Sequence, residues 1–394
     1  MHRLTTVLGM PQHRFASVHV VGTNGKSSVT QMTAALLEAH GVSAGACVSP
    51  HISRWAERVR IRGEQIEARA FSASVERAAE AAEVVNRSLE EGEAVTQFEL
   101  STAAAFVALA AARVGAGVIE AGLGGRLDAT NVIPSRVTVL TSVGLDHTEW
   151  LGESELEIAA EKLAVLRDQS TLVTGRLSDE VSALAERVAA ERGAKLVSAP
   201  DDPGAGIPVR AAGPFQRRNF AIACAAAGSF LGGLDPDLVR AVGAEVVVAG
   251  RLERIADDPP TFIDAAHNPD AAAALAEALP ELSGGKPVVA CLAILADKDA
   301  PGMLEALAPA LDAVLCTEFG PEQLRASGRP GSTAWPAAEL VSLAEGLGID
   351  AIAEPEPAAA LPGARAEARS RGGVLLVAGS HYLLATARAL LRRD

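Results

Sequence analysis

The run Gly22-Thr23-Asn24-Gly25-Lys26-Ser27-Ser28 holds the residue types needed to grip a polyphosphate. Glycines let backbone N–H groups turn inward, and a helix opening after them adds positive potential. Lys26 can then reach the β and γ phosphates while Ser27 offers a hydroxyl to Mg²⁺. The strict pattern G-x-x-x-x-G-K would put a glycine at position 20, where Val20 stands, so the regular spacing fails although the chemistry is present. A tight strand-to-helix turn with a surface lysine is the plain alternative. A Gly-Lys-Ser-Ser run directly after an apolar strand favours the phosphate reading.

Three further polar residues stand where predicted strands end: Ser49 before Pro50-His51, Glu120 after Val118-Ile119, and His147 in Leu145-Asp146-His147. Open α/β sheets bind ligands at that edge. Hydroxyl, carboxylate and imidazole can fill a few positions around a Mg²⁺ that keeps water and nucleotide oxygens. Taken singly, each is more often a cap, a surface carboxylate or a satisfied loop histidine; their shared placement reverses that preference. After Glu120, the segment Gly122-Leu123-Gly124-Gly125-Arg126-Leu127-Asp128-Ala129-Thr130-Asn131 is too rich in glycine and polar groups for a helix or strand. Its backbone can approach a phosphate or substrate while Arg126, Asp128 and Asn131 make directed hydrogen bonds, unless it is merely a connection. Near the other end of the chain, Asp264-Ala265-Ala266-His267-Asn268-Pro269 closes a strand and opens a helix, with Pro269 suited to the first helical position. Asp264 and His267 would face the ligand edge; capping by Asn268 alone is the competing account.

The elements that must position these groups read as βαβ units, because short β-branched runs alternate with Ala/Leu/Glu-rich stretches of helical period. Strands are expected at 17–21, 44–49, 117–120, 137–143 and 171–174, with a hairpin over 58–66. Helices are expected at 26–40, 68–91, 98–115, 153–167 and 178–192. Composition turns to Pro, Gly and Asp around 199–213, and a loop-like stretch at 256–260 precedes a second βα series with strands at 261–264, 287–294, 312–318 and 374–379. The fold class expected is α/β: a Rossmann-like P-loop ATPase domain over 1–248, followed by a smaller Rossmann-like domain over 249–394. No internal repeat stands out.

The chain has 394 residues with 35 Lys+Arg against 49 Asp+Glu, a formal charge of −14. That balance argues against an electrostatic hold on nucleic acid or an anionic membrane surface, so an anionic ligand must be gripped by local groups. Four scattered cysteines make no knuckle or dense disulfide framework, and no apolar run reaches the roughly 18 residues of a membrane span. A signal-peptide core is absent from the first residues. A reduced, cytoplasmic protein acting as a monomer on small molecules is the expectation.

Taken in order, these motifs name a family. The phosphate loop, Ser49-Pro50-His51, Thr96-Gln97-Phe98-Glu99, Glu120 with its glycine-rich loop, Leu145-Asp146-His147 and Glu161-Lys162 come first. Phe215-Gln216-Arg217-Arg218-Asn219, Gly250-Arg251-Leu252-Glu253, 264–269, Asp297-Lys298-Asp299 and Gly379-Ser380 follow. The chain resembles the folylpolyglutamate synthase/dihydrofolate synthase family, the folate branch of the Mur ligases, over nearly its whole length. The resemblance implies two Rossmann-like domains with the active site in the cleft between them. It also implies ATP-dependent amide formation, in which the γ-phosphate moves to a carboxylate of a pterin substrate and L-glutamate attacks the acyl phosphate. Residue by residue, it implies that 22–28 hold the triphosphate, with Lys26 central. Ser49, Glu120 and His147 match Mg²⁺ ligands; Asn219, Arg251 and Asp264 match nucleotide contacts, and His267 would face the same site. Lys162 matches a lysine that the family carbamylates, which would supply an anionic oxygen to a second Mg²⁺ where an ammonium would repel it.

Departures from the family pattern concern the pterin side: Trp55-Ala56, Leu163-Ala164-Val165, Ala265 and His381, together with a start close to the phosphate loop. The implied cofactors are ATP and Mg²⁺, and the substrates are dihydropteroate or a reduced folate with L-glutamate. Two other readings stay open: a related ligase joining another carboxylate and amine, and a nucleotide-binding module without turnover.

Overall fold

The computed structural model describes residues 1–320, 324 and 331–391. They form two compact units, one of Met1–Arg210 with Arg217–Val246 and one of Ala211–Gln216 with Val247–Asp394. The short segment 211–216 joins the second unit because Ala212 and Phe215 pack on its core. Among the described residues, no helix is long and apolar enough to cross a membrane.

The first unit is built on eight strands: β1 Ala16–Val21, β2 Ala44–Cys47, β3 Val59–Ile61, β4 Glu64–Gln65, β5 Ala116–Glu120, β6 Ser135–Leu140, β7 Thr171–Thr174 and β8 Lys195–Ser198. Their order is β4-β3-β2-β5-β1-β6-β7-β8. All neighbours run parallel except the hairpin region β2-β3-β4. Both β1 and β5 are buried almost throughout, as expected of central strands covered on both faces. One apolar cluster gathers Phe15, Phe106, Leu109, Val114 and Ile119; another gathers Val21, Leu140, Leu163, Leu172 and Leu184.

The helix expected over 153–167 is the shorter Glu155–Leu163, and a separate one-turn helix, Thr148–Leu151, precedes it. Gly152 sits at φ 110°, and Ser154 restarts the chain as a helix through a capping box with Glu157. Each partner there satisfies an orphan N–H of the other. Helices expected over 68–91 and 98–115 span Ala68–Asn86 and Gln97–Ala111. The helices His2–Val7 and Pro236–Glu245 and the edge strand β8 are additions to the sequence reading.

The second unit carries β9 Glu253–Asp257, β10 Pro260–Ile263, β11 Val288–Leu292, β12 Ala313–Cys316, β13 Asp350–Ala353 and β14 Val374–Ala378, in the order β13-β12-β11-β14-β10-β9. Only β9 is antiparallel to its neighbour. The stretch 256–260, read from sequence as a loop, is the turn of the β9–β10 hairpin with the flanking strand residues. Leu275, Leu279, Leu292, Leu304 and Leu376 belong to one continuous core.

Candidate functional site

Strands β2, β5, β1 and β6 are adjacent and parallel, so the segments leaving their C-terminal ends emerge at one edge of the sheet. Val20 pairs with Glu120 and Val21 with Leu140, which brings the phosphate-loop candidate level with Glu120 and with Thr141-Ser142. Ser49 follows β2 at the same edge.

The loop 22–25 is held from several sides. Thr141 Oγ1 donates to Asn24 O at 2.6 Å, Asn24 N–H donates to Ser142 Oγ at 3.0 Å, and Gly144 N–H donates to Thr23 Oγ1 at 3.1 Å. Gly25 is the N-cap of the helix Lys26–Ala39 in a left-handed conformation, φ 83°. A Cβ there would lie 2.5 Å from Asn219 Oδ1. Glycine is therefore required twice over, and Asn219 stands directly against the loop. The Lys26 ammonium donates to Gly22 O and Thr23 O, each at 2.9 Å.

Ser27, Ser49 and Glu120 come together. The Glu120 carboxylate, 2% exposed, accepts from Ser27 Oγ at 2.9 Å and from Ser49 N–H at 2.9 Å. A buried carboxylate beside hydroxyls is the hard-oxygen chemistry that Mg²⁺ prefers, and it fills only part of an octahedron. Among the described residues, no three His, Cys, Asp or Glu side chains gather as a metal site. A Mg²⁺ here would accordingly depend on serine oxygens, water and phosphate as well. His147 adopts φ 53°, ψ 41° at the head of the helix Thr148–Leu151, with Nε2 3.8 Å from Asp146 Oδ1.

Lys162 is 3% exposed and donates to Gly22 O at 3.0 Å, so two lysines converge on the phosphate loop. Burial, with the Lys26 charge behind it, pulls the Lys162 amine down to about 7, against the opposing pull of Asp146, Asp128 and Glu161. The glycine-rich loop is docked beside it. A Cβ on Gly125 would lie 2.7 Å from Glu161 O and 2.9 Å from Lys162 O, and Arg126 N–H donates to Glu161 O at 3.1 Å. Asp128 takes the N–H groups of Leu123 and Thr130, each at 2.8 Å. Asn131 donates to Arg126 O at 2.9 Å. Asp128 and Asn131, expected from sequence to reach toward a ligand, thus close the loop on itself, while Arg126 pairs with Glu161 at 3.1 Å.

In the second unit, Asp264 at the end of β10 is buried and accepts from Leu252 N–H at 2.8 Å and Ala266 N–H at 2.7 Å. Burial pushes its carboxyl upward, and the Arg251 charge and these N–H groups oppose that. His267 Nδ1 lies 2.8 Å from Ala265 O, and Asn268 Oδ1 caps the helix Pro269–Ser283 through Ala271 N–H at 2.9 Å. Capping by Asn268 and an acidic group facing the Arg251 charge therefore coexist. Sequence reasoning missed the brace formed by Thr141 and Ser142, whose only signal was a pair of hydroxyls following β6.

The glutamate ligase domain of the Mur ligases matches residues 250–381. The dihydrofolate synthase/folylpolyglutamate synthase of Mycobacterium tuberculosis is 33% identical, covering 99% of this chain and 89% of its own length. A crystal structure of Mycobacterium tuberculosis folylpolyglutamate synthase complexed with ADP and AMPPCP superposes with TM-score 0.90 at 31% identity, covering 100% of this chain and 95% of that one. The bifunctional folylpolyglutamate synthase/dihydrofolate synthase of Yersinia pestis, complexed with AMPPNP and a Mn ion, gives TM-score 0.83 at 28% identity over 99% and 93% of the two chains. A phosphate loop braced by two lysines, an acid-and-serine cluster at the same sheet edge and a likeness spanning the whole chain agree: the chain belongs to the dihydrofolate synthase/folylpolyglutamate synthase family.

Proposed function

We propose that this protein is an ATP-dependent ligase that joins L-glutamate to dihydropteroate, to a reduced folate, or to both. The observation that carries the reading is the convergence of Lys26, Lys162, Ser27 and Glu120 on one sheet edge in a chain aligned end to end with folate ligases. The acceptor carboxylate takes the γ-phosphate of ATP, and the glutamate amine then displaces phosphate from the acyl phosphate to form the amide. Positioning and charge neutralisation are the protein's share of that work.

Residues 22–28 cradle the triphosphate, with the Lys26 ammonium passing from loop carbonyls to phosphate oxygens, and Asn219, Arg251 and Asp264 contact the nucleotide. Ser49, Glu120 and His147 hold Mg²⁺, which supplies charge neutralisation at the phosphates. His267 belongs to the reacting centre. Lys162, as a free amine near neutral pH, is suited to carbamylation, which would turn a cation into an oxygen ligand for a second Mg²⁺. The loop 122–131 meets the acceptor, with Leu127 91% exposed at its tip. Residues 1–248 form the ATP-binding domain and 249–394 the glutamate-ligase domain of a cytoplasmic monomer with no nucleic-acid or membrane partner.

The test is ADP release with Mg-ATP and L-glutamate, compared without acceptor, with 7,8-dihydropteroate and with tetrahydrofolate, products identified by mass. A gain of one glutamyl unit on either acceptor is expected, and Lys26→Ala should abolish it. Wild-type turnover in that variant would sink the assignment. ATP binding without acceptor-dependent release would leave a nucleotide-binding module or a ligase for another carboxylate.

A further inference from the structure

We propose that His19 is a positioning residue for the acceptor loop 122–131, acting through Thr130 and Asp128, so that the strand feeding the phosphate loop also sets the loop that meets the acceptor. This role rests on the ligase reading above.

His19 lies in β1, three residues before Gly22, and its side chain is fully buried. Its Nε2 stands 2.8 Å from Thr130 Oγ1, across 111 residues of sequence. The Thr130 hydroxyl in turn donates to Asp128 Oδ1 at 2.5 Å. With that single proton committed to Asp128, the threonine oxygen must accept, so His19 donates from Nε2 and its tautomer is fixed. Burial, with the Arg167 charge second, lowers the imidazole pKa to about 3, which keeps it neutral at working pH. Asp128 is the hub of the loop, taking the N–H of Leu123 and the N–H of Thr130. Beyond the hub, Gly125 rests on the backbone of Glu161 and Lys162.

A histidine is a costly way merely to fill that space. Nδ1 is buried and has no hydrogen-bond partner among the described residues, a penalty that an apolar side chain would avoid. The imidazole gives the site one thing that an apolar group cannot: a directed donor that fixes the Thr130 hydroxyl and, through it, the Asp128 carboxylate. Loop 122–131 is then held from beneath by strand β1 and from the side by the helix Glu155–Leu163.

The experiment pairs His19→Leu with His19→Gln, whose side-chain amide N–H substitutes for Nε2–H, and Thr130→Val with Thr130→Ser. Two readouts are taken on the full chain: the rate of tryptic cleavage after Arg126, and KM for acceptor and for ATP separately. The leucine and valine variants should speed cleavage and raise acceptor KM, each about tenfold, with KM for ATP within about twofold of wild type; glutamine and serine should restore both. Unchanged cleavage and acceptor KM would overturn the proposal, as would a joint rise of both KM values with lowered thermal stability, or failure of glutamine and serine to rescue. Should His19→Leu not fold, the Thr130 pair decides. If the wild-type protein shows no acceptor-dependent turnover, the ligase reading fails, and the cleavage rates still decide whether His19 orders the loop.

Discussion

Replacing Lys162 by methionine keeps the aliphatic stem and removes the buried amine, and its effect on stability should depend on pH in a defined sense. The folded state lowers this amine from 10.5 to about 7. Below about pH 7 it is protonated in both states, and the cost of burying the charge is fully present. Between pH 7 and 10.5 the unfolded chain keeps a proton that the folded protein has shed, so wild-type stability climbs with pH; above 10.5 the cost is gone. At about 1.4 kcal/mol per pH unit, the climb integrates to about 5 kcal/mol. Methionine lacks this climb, whereas the other titrating groups are common to both proteins and cancel in the difference. The lost hydrogen bond to Gly22 O adds an offset of about 1 kcal/mol that does not vary with pH. Trp55 and Trp150 lie in the first unit and Trp335 in the second, so urea unfolding followed by tryptophan fluorescence in a Trp335→Phe background isolates the relevant transition. Measured in CO₂-free buffers from about pH 6 to about pH 10, the methionine variant should be the more stable at the acid end, with an advantage that shrinks as pH rises. A difference that stays constant over that range would refute the argument.

Three further outcomes follow from the same geometry. Glu120→Gln leaves an oxygen for Ser27 or Ser49 but removes the buried charge, and should shift the Mg²⁺ dependence of ADP release to at least about tenfold higher concentration; an unmoved Mg²⁺ titration would remove Glu120 from the metal site. Gly125→Ala drives a Cβ against two backbone carbonyls that cannot rotate away, and should cost about 1–3 kcal/mol in chemical denaturation. Asp264→Asn turns an amide N–H toward Leu252 N–H or Ala266 N–H, and should lower the stability of the second unit by about 1–3 kcal/mol, read by Trp335 fluorescence.

Residues at which an apolar run stops were legible in the sequence. The phosphate loop after Val21, Glu120 after Ile119 and Asp264 after Ile263 all mark a strand reaching its edge, and the edge is where a parallel sheet works. His19 was not legible in the same way. It alternates within Val18-His19-Val20 as an ordinary interior position, and nothing local announces that Thr130, 111 residues on, will satisfy it. Edge strands escaped for a different reason. β8 and β13 are four residues each with no buried position, too short for alternation to register, and β9 ends at Asp257 and runs straight into Asp258-Pro259, where turn chemistry masks the strand. The residue types of Asp128 and Asn131 mark them as groups that make directed hydrogen bonds, but type alone does not say whether a polar side chain serves a ligand or its own loop. That depends on the fold of the ten residues around it.

The strand order also governs how the protein comes into being. β1 pairs only with β5 and β6, and β2 can reach β1 only through β5, which intercalates between them. On the ribosome, the strand and helix flanking the phosphate loop are complete long before residues 116–120 exist. At roughly 5–20 residues per second, the intervening segment takes several seconds to emerge. Through that interval β1, apolar and open along both sides, has no partner strand. In that interval the nascent chain carries an unpaired strand of the kind that aggregates, and a holdase acting while residues 22–115 are being made should raise soluble yield more than one acting after release.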